Sequence, residues 1–198
     1  MGPVQIKDVV LGEGRTKVIV PITGRTADEL VEQASTLAAH DLDLVEWRVD
    51  FFENALDTGA VLAVGARVVE ALNGKPVLFT FRTKGEGGQQ EIGPLQYVEI
   101  NSALIESGLI DAVDVEQFYD AAAGDAVIGA AKANGVAVVG SNHDFFGTPP
   151  ADVIVERLVA MQERGCDIAK MAVMPKDAGD VLTLLNATWT MASQHPAT

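Results

Sequence analysis

The sequence predicts an α/β fold, and of the two main architectures of this class we expect a (β/α)8 TIM barrel. Apolar segments of strand length alternate with helix-like segments along the whole chain. The strand segments start roughly 30 residues apart, which is the length of one βα unit. A doubly wound open sheet is the alternative, but it usually carries a glycine-rich phosphate turn after its first strand, and residues 21–25 do not supply one.

The elements follow one another in a regular order. Thr26 can cap the first helix, Pro94 is a favoured first-turn residue of the third, and Asn-Gly pairs at 73–74 and 134–135 supply left-handed helix ends. Residues 1–16 are expected to form a hairpin that caps the barrel. We expect strands at 17–22, 44–49, 76–81, 111–116, 136–140 and 167–173, and helices at 27–39, 58–72, 94–107, 120–133, 149–164 and 177–194.

The number of units is lower than a closed barrel requires. Eight units need about 250 residues, whereas six βα units precede Thr198. We therefore expect a single domain over residues 1–198 that holds about six of eight units, with the C-terminal units missing.

Composition excludes several classes of function. Asp and Glu number 28 against 14 Lys and Arg, a formal charge of −14, so the protein repels nucleic acid and anionic membrane surfaces. The sequence has neither the apolar core of a signal peptide nor a run of about 18 apolar residues. The single cysteine, Cys166, excludes an internal disulfide, fits a reducing cytoplasm and is expected to be packed. We expect a cytoplasmic protein that binds a small molecule.

Lys170 is the first candidate for catalysis. It lies in the apolar run 166–175, which is typical of a strand buried on both faces. Burial disfavours an ammonium ion, and an unprotonated amine in an apolar pocket can attack a carbonyl to form a Schiff base. The alternative is a lysine at a strand end that reaches solvent or pairs with a carboxylate.

Other polar residues support the catalytic interpretation because they lie at the C-terminal ends of the predicted strands. In a TIM barrel this end is the catalytic face. Arg48, Arg82 and Lys170 together could form the positive pocket that an acidic protein needs for a carboxylate substrate. Asp114 and Glu116 share a strand face and are interpreted as supports. The residues concerned are Glu46, Arg48, Asp50, Arg82, Asp114, Glu116, His143 and Lys170.

Two further residues suggest proton transfer. The loop 83–88 is rich in glycine and is expected to be mobile or tightly turned. Its Glu86 could orient a histidine, or be solvated. His143 is the one histidine at a strand end, and imidazole can move a proton in both directions near neutral pH. A single histidine often has only a structural role, but beside a Schiff-base lysine we expect a functional one.

A metal site is the competing enzymatic hypothesis. Glu46, Asp114, Glu116 and His143 could surround a divalent cation. Three cationic side chains among them would repel it, so no metal is expected.

Five short motifs follow one another along the chain. They are Glu46-Trp47-Arg48-Val49-Asp50, Phe79-Thr80-Phe81-Arg82, Glu86-Gly87-Gly88, Ser141-Asn142-His143-Asp144-Phe145 and Lys170-Met171-Ala172-Val173-Met174-Pro175. In order and spacing they resemble type I 3-dehydroquinate dehydratase, and the resemblance runs from about Lys17 to Thr190. Some members of that family have a serine at the position of Pro21.

The resemblance implies a (β/α)8 barrel, usually a homodimer, that converts 3-dehydroquinate to 3-dehydroshikimate in aromatic amino acid biosynthesis without a cofactor. It implies that Lys170 forms an imine with the substrate ketone and that His143 transfers protons. It further implies that Glu86 holds the imidazole of His143. It also implies that the polar groups of the substrate are bound by Glu46, Arg48 and Arg82.

The resemblance also implies two more units after Thr198, which would supply an arginine and a glutamine that hold the substrate. We therefore expect little turnover from the 198-residue chain. The alternative from another class is a non-catalytic (β/α) module, either degenerate or a fragment that pairs with a partner.

Overall fold

The computed structural model describes residues 2–195 of the chain. Met1 and residues 196–198 lie outside this range, so the expectations about residue 1 and about the chain end fall outside the described residues. A short antiparallel hairpin is followed by regular alternation of strands and helices. The strands are β1 (Val4–Ile6), β2 (Val9–Leu11), β3 (Ile19–Ile22), β4 (Leu44–Arg48), β5 (Val77–Thr80), β6 (Ala112–Glu116), β7 (Ala137–Asp144) and β8 (Ile168–Val173), and the helices are α1 (Ala27–Ala38), α2 (Thr58–Ala71), α3 (Pro94–Glu106), α4 (Ala121–Asn134), α5 (Ala151–Glu163) and α6 (Ala178–Gln194).

The six longer strands form one curled parallel sheet within residues 2–195. Its order is β3-β4-β5-β6-β7-β8, so each strand pairs with the next one along the chain. A doubly wound sheet reverses direction at a switch point, and this strand order has no reversal. The doubly wound alternative is therefore wrong, and the α/β class with barrel-like winding is confirmed. None of the helices in this range combines the length and the hydropathy needed to cross a bilayer.

The two faces of the sheet bury different side chains because successive strand residues point in opposite directions. Trp47 and Phe79 face the helices, where their ring centroids lie 5.3 Å apart in an edge-on arrangement. Leu44 and Leu78 lie on the inner face and pack against Ile6 of the hairpin. Because these two leucines lie at or next to the starts of their strands, the hairpin covers the N-terminal end of the inner face.

The helix ends confirm the predicted caps. Thr26 Oγ1 accepts a hydrogen bond from the backbone N–H of Glu29, and the Glu29 carboxylate accepts one from the backbone N–H of Thr26. This reciprocal pair satisfies two of the free donors at the start of α1. Asn73 and Gly135 take the left-handed conformation at the ends of α2 and α4, with φ of 50° and 69°.

The strand at 136–140 is longer than predicted, because β7 continues to Asp144. The apolar pattern that predicts the strand ends at Gly140, because Ser141, Asn142 and His143 are polar. Parallel pairing with β8 nevertheless extends along all of them. Main-chain hydrogen bonding outweighs side-chain polarity there, and His143 consequently lies inside the strand and not after it.

The expectation that 167–173 is buried on both faces is wrong for the described residues. All six residues of β8 are partly exposed, and the strand is an edge of the six-stranded sheet. Pro21 lies in the other edge strand, β3. An edge strand tolerates proline because its missing N–H does not interrupt a ladder on both sides.

Cys166 is packed, as predicted. Its side chain is free and buried beside Gly140 of β7. Burial raises the pKa of the Cys166 thiol to about 11, although the nearby Arg164 acts in the opposite direction. The thiol is therefore protonated at neutral pH and serves as a small apolar side chain.

Gly140→Ala should destabilise the fold. The new Cβ would lie 2.6 Å from Cys166 Sγ and 3.2 Å from Met161 Cβ, and overpacking of this kind costs about 1–3 kcal/mol. Urea unfolding measures the loss. The matched control is Gly129→Ala on the exposed face of α4, where the new methyl group meets nothing within 4 Å and should stabilise the helix by about 0.5–1 kcal/mol. Equal effects of the two substitutions would contradict the packing described around Cys166.

Candidate active site

The inner face of the sheet changes from apolar to polar toward the C-terminal ends of the strands. In five consecutive strands, the residue two positions after an apolar inner residue is polar. Because the period of a strand is two, both residues of each pair share a face. A cavity of about 670 Å³ runs along this face and is lined by Glu46 and Lys170, among others. The pairs are Leu44 and Glu46, Leu78 and Thr80, Ala112 and Asp114, Val139 and Ser141, and Ile168 and Lys170.

Arg82 occupies the centre of the polar layer. It is 3% exposed, and its Nη2 lies 2.8 Å from Asp114 Oδ2. Its Nη1 donates to Glu116 Oε1 and to Ser141 Oγ, both at 3.0 Å, and lies 3.7 Å from Glu86 Oε2. Burial lowers the pKa of Arg82, but Asp114 and Glu116 outweigh burial and the pKa is raised. The guanidinium is therefore a permanent positive charge shared by three carboxylates.

The two fully buried carboxylates beside Arg82 differ in their environments. Burial raises the pKa of Asp114, but Arg82, then Lys170, then a hydrogen bond of 2.6 Å from Ser141 Oγ lower it, and the net pKa is below its usual range. Burial is the largest influence on Glu116 and raises its pKa, although Arg82 and Thr83 oppose it. Glu116 accepts from the Thr83 backbone at 2.8 Å and its hydroxyl at 2.6 Å, an arrangement that fits the predicted supporting role.

Lys170 projects from β8 beside this cluster. Its Nζ lies 3.8 Å from Asp114 Oδ2, and its side chain is 37% exposed. The structure thus places it partly in solvent and near a carboxylate, as in the alternative considered for a strand-end lysine. Asp114 Oδ2 is a buried oxygen that accepts no hydrogen bond of regular geometry within the described residues, although it is in ion-pair contact with Arg82.

The Glu86 carboxylate contacts His143. Oε2 of Glu86 lies 2.8 Å from His143 Nδ1 and accepts from the His143 backbone N–H at 3.0 Å, while Oε1 accepts from Asn142 Nδ2 at 3.1 Å. Since an ionised carboxylate only accepts, the hydrogen between Glu86 and the ring belongs to Nδ1. The Nε2 of a neutral His143 ring is then the basic nitrogen.

The loop that carries Glu86 is tightly turned and not open. A 3₁₀ turn spans Lys84–Glu86 and ends at Gly87, which has a φ of 85°. A Cβ at Gly87 would lie 2.6 Å from the Phe145 ring, and one at Gly88 would overlap the Arg82 carbonyl oxygen. Gly87 therefore permits a close approach of the loop to Phe145, which follows β7, and Gly88 permits the loop to fold back on its own start at Arg82.

Arg48 and Glu46 lie on the neighbouring strand β4. Arg48 donates through Nε and Nη2 to both oxygens of the buried Asp50, at 2.8 and 2.9 Å, and stacks 5.0 Å from the centroid of the Phe51 ring. Glu46 Oε1 accepts from Thr80 Oγ1 at 2.8 Å. Arg48 is therefore held by Asp50, two positions later, and not by Glu46, two positions earlier.

The structure brings the sequence-predicted residues together in part. Arg82 joins Lys170, through Asp114, to the Glu86 and His143 pair. Arg48, Arg82 and Lys170 each lie within 4 Å of a carboxylate, so their joint binding of a substrate carboxylate stays a prediction. Arg82 and Lys170 occupy Asp114 and Glu116, two of the three carboxylates proposed for a metal. Within residues 2–195 no three acidic, histidine or cysteine side chains form a ligand set.

Several polar residues of the site were not identified from the sequence. Thr80 and Ser141 lie two positions before Arg82 and His143, so strand periodicity was an available signal for both. Asn142 belongs to the opposite face of the strand, and Thr83 follows the end of its strand. Strand periodicity marks neither of them as a site residue.

Fold and site together define a TIM-barrel-like enzyme of the α/β class, with an amine, an imidazole and carboxylates at the C-terminal ends of parallel strands. The family model of type I 3-dehydroquinase matches residues 18–198. The chain belongs to this family.

Relatives agree along nearly the whole chain. It is 47% identical over 191 residues to a 3-dehydroquinate dehydratase of Syntrophotalea carbinolica, covering 96% of this chain and 76% of that protein. It is 44% identical over 195 residues to the Salmonella typhimurium enzyme of the same name, covering 98% and 77%. The type I 3-dehydroquinate dehydratase of Clostridium difficile, solved with covalently modified comenic acid, has a TM-score of 0.96 and 41% identity, covering 98% of this chain and 76% of that one.

Asp114→Asn should reduce the acid sensitivity of the fold. A carboxyl with a lowered folded-state pKa stabilises the protein above its unfolded pKa of about 4, and this stability is lost as the pH falls through the folded value. The variant lacks that contribution, so its free energy of unfolding should fall less steeply below pH 4. At pH 7 it should be lower by about 3–5 kcal/mol because Arg82 loses a buried partner.

Urea unfolding between pH 3 and pH 7 measures both effects. Asp28→Asn is the control, because Asp28 is 91% exposed in its pair with Arg67 and an exposed pair contributes little. Identical acid slopes for the wild type and Asp114→Asn would contradict the assignment.

Proposed function

We propose that this chain dehydrates 3-dehydroquinate to 3-dehydroshikimate through an imine on Lys170, as the lyase step of its family in aromatic amino acid biosynthesis. The observation that carries the proposal is the position of Lys170. Its amine lies on the polar inner layer, 3.8 Å from Asp114 and in register with Ser141 beside His143. Covalent chemistry is also supported by the C. difficile relative, whose structure contains covalently modified comenic acid.

The amine performs the first step. Lys170 Nζ adds to the substrate ketone, and the resulting carbinolamine loses water to give an iminium ion. The iminium draws electrons from the neighbouring carbon, so that carbon loses a proton and an enamine forms. The enamine then expels the β-hydroxyl, which leaves as water after protonation. Hydrolysis returns the amine and releases the enone product, so that one water is lost overall.

Asp114 is suited to stabilise the cation in this sequence. Its ionised form is favoured because its pKa is lowered. One of its buried oxygens accepts no regular hydrogen bond and faces Lys170. A carboxylate fixed before the reaction needs no reorganisation when the iminium charge develops.

His143 is proposed to move the protons. Glu86 holds Nδ1, which leaves Nε2 of the neutral ring to take the proton from carbon and then to deliver it to the departing hydroxyl. The contacts at 2.8 and 3.0 Å fix the ring in one orientation.

Glu46, Arg48 and Arg82 are proposed to bind the polar groups of the substrate. Glu46 lines the same cavity as Lys170 and uses one oxygen for Thr80. The Arg48 side chain is 21% exposed beside its partner Asp50. Arg82 is the most buried of the three, so its contact with substrate would add to its role within the carboxylate cluster.

The wider assembly is part of the proposal. We infer an eight-stranded barrel of which the described sheet is the first part, a homodimer, a cytoplasmic location and a reaction without a cofactor. Sedimentation at several concentrations tests the dimer. The non-catalytic module and the metal-dependent enzyme are not favoured, because the family match extends over the segments that carry Lys170, His143 and Glu86.

Borohydride reduction in the presence of 3-dehydroquinate should attach a stable mass to Lys170, since reduction of an iminium to an amine is irreversible. Peptide mass spectrometry locates the adduct. Lys170→Met should abolish it. Lys176→Met removes an exposed lysine six positions away and should retain it. An adduct at another lysine, or none at any lysine of a protein that carries all eight inferred units, would contradict the imine mechanism.

Chelation should leave turnover unchanged. The proposed steps use only the amine, imidazole and carboxylate groups of the chain. Dialysis against EDTA followed by a spectrophotometric assay of the enone product tests this. A loss of activity that added Mg²⁺ or Mn²⁺ restores would favour the metal-dependent alternative instead.

A further inference from the structure

A hydrogen-bonded chain joins helix α5 to the carboxylate that holds His143. Arg157 of α5 donates through Nη1 to Asn142 Oδ1 at 3.1 Å. Asn142 Nδ2 in turn donates to Glu86 Oε1 at 3.1 Å. The guanidinium of Arg157 also lies 5.7 Å from the centroid of the Phe118 ring. These contacts reach the proton-transfer pair from helix α5, and neither Arg157 nor Asn142 lines the cavity that Lys170 lines.

The chain permits only one orientation of the Asn142 amide. A guanidinium has donors and no acceptor, and an ionised Glu86 has acceptors and no donor. The amide between them must therefore point its oxygen to Arg157 and its nitrogen to Glu86. Asn142 is 6% exposed, so water offers little compensation for a reversed amide.

This orientation gives each oxygen of the Glu86 carboxylate its own partners. Oε1 is occupied by Asn142, and Oε2 is left to accept from the backbone N–H and from Nδ1 of His143. Rotation of the carboxylate would break all three contacts together. The ring nitrogen that carries the hydrogen is set by the partner of the other nitrogen, so a fixed Glu86 also fixes the tautomer of His143.

We propose that Arg157 is a positioning residue: through Asn142 and Glu86 it holds His143 in the tautomer with hydrogen on Nδ1. The inference rests on the proposed role of His143 as proton carrier. Arg157 lines a cavity of about 340 Å³ together with Asn142 and His143, whereas Lys170 and Glu46 line the cavity of about 670 Å³, in which Arg157 has no part. It acts through its neighbours and not on the substrate.

A purely structural role for Arg157 makes a different prediction. Its Nη1 also lies 3.7 Å from Asp144 Oδ2, so the residue helps to hold α5 against β7. If that were its whole role, removing the guanidinium would lower stability and leave the tautomer of His143 unchanged. The two roles are therefore separable by a measurement on the imidazole ring itself.

The ¹⁵N chemical shifts of the ring nitrogens, detected through the carbon-bound ring protons, report the tautomer without substrate. The His143 signals are those lost in His143→Gln, and they are read above the pH at which they stop changing. Wild type should show hydrogen on Nδ1. Arg157→Leu and Asn142→Ala should each give a mixture shifted toward the Nε2–H form that free histidine prefers. Arg157→Gln retains an N–H donor and should recover part of the wild-type shifts.

The double variant Arg157→Leu/Asn142→Ala tests whether Arg157 acts on His143 through Asn142. If Arg157 acts through Asn142, Arg157→Leu should add nothing to the shift change already present in Asn142→Ala. Kinetics provide a second measure: kcat should fall about tenfold in Arg157→Leu, with KM within about twofold, because a misplaced proton carrier slows chemistry and leaves substrate binding intact.

Arg164→Met is the matched control, because Arg164 caps the same helix and donates to Asp125 Oδ1 at 2.7 Å, with no contact to the Asn142 chain among the described residues. It should lower stability and leave the ring shifts unchanged. Unchanged shifts in a folded Arg157→Leu or in Asn142→Ala would overturn the proposal, as would wild-type shifts that show hydrogen on Nε2. If Arg157→Leu does not fold, Asn142→Ala and Arg157→Gln decide the question. The shifts are read without substrate, so a failed borohydride test does not change them.

Discussion

The site depends on one buried cation, Arg82. Its guanidinium bridges carboxylates from β6 and from the loop after β5, and it also donates to Ser141 of β7. Removing such a charge from water is costly, and the cost is offset only when every donor direction meets an acceptor. A guanidinium can do this because its donors form a planar fork, whereas an ammonium is a point charge. Arginine at this position thus fixes the relative positions of three consecutive strands at their C-terminal ends.

Arg82 also separates the two kinds of chemistry proposed here. On one side, its charge keeps Asp114 ionised beside the Lys170 amine. On the other, it lies 3.7 Å from Glu86, which holds His143. The amine and the imidazole are therefore both organised by carboxylates, and both carboxylates are organised by the same cation. A displacement of the Arg82 guanidinium would therefore affect both the covalent step and the proton transfer.

Much of this arrangement was available from the sequence, for a physical reason. Alternate residues of a strand point to the same face. The apolar residues of the inner face therefore predict that Glu46, Asp114 and Lys170, each two positions further on, also lie on that face. The winding of the sheet followed from the βα period. The ion pairing did not, because it requires knowing which of several carboxylates each cation meets. Arg157 was not identified either, since nothing in an amphipathic helix marks the one residue that reaches over a strand end.

The floor beneath the polar layer explains why these contacts are internal to the protein. Leu44, Leu78 and Ala112, with the hairpin residue Ile6, are buried below the charges and form the apolar lining of the cavity that Glu46 and Lys170 also line. Charged side chains above this apolar layer can find polar partners only among one another or at the open end of the site, toward the C-terminal ends of the strands. The carboxylates and Arg82 satisfy one another, so the polar layer is already ordered before a substrate enters. A substrate then meets fixed charges instead of solvent that must reorganise, which is the condition under which electrostatic stabilisation of an iminium ion is largest.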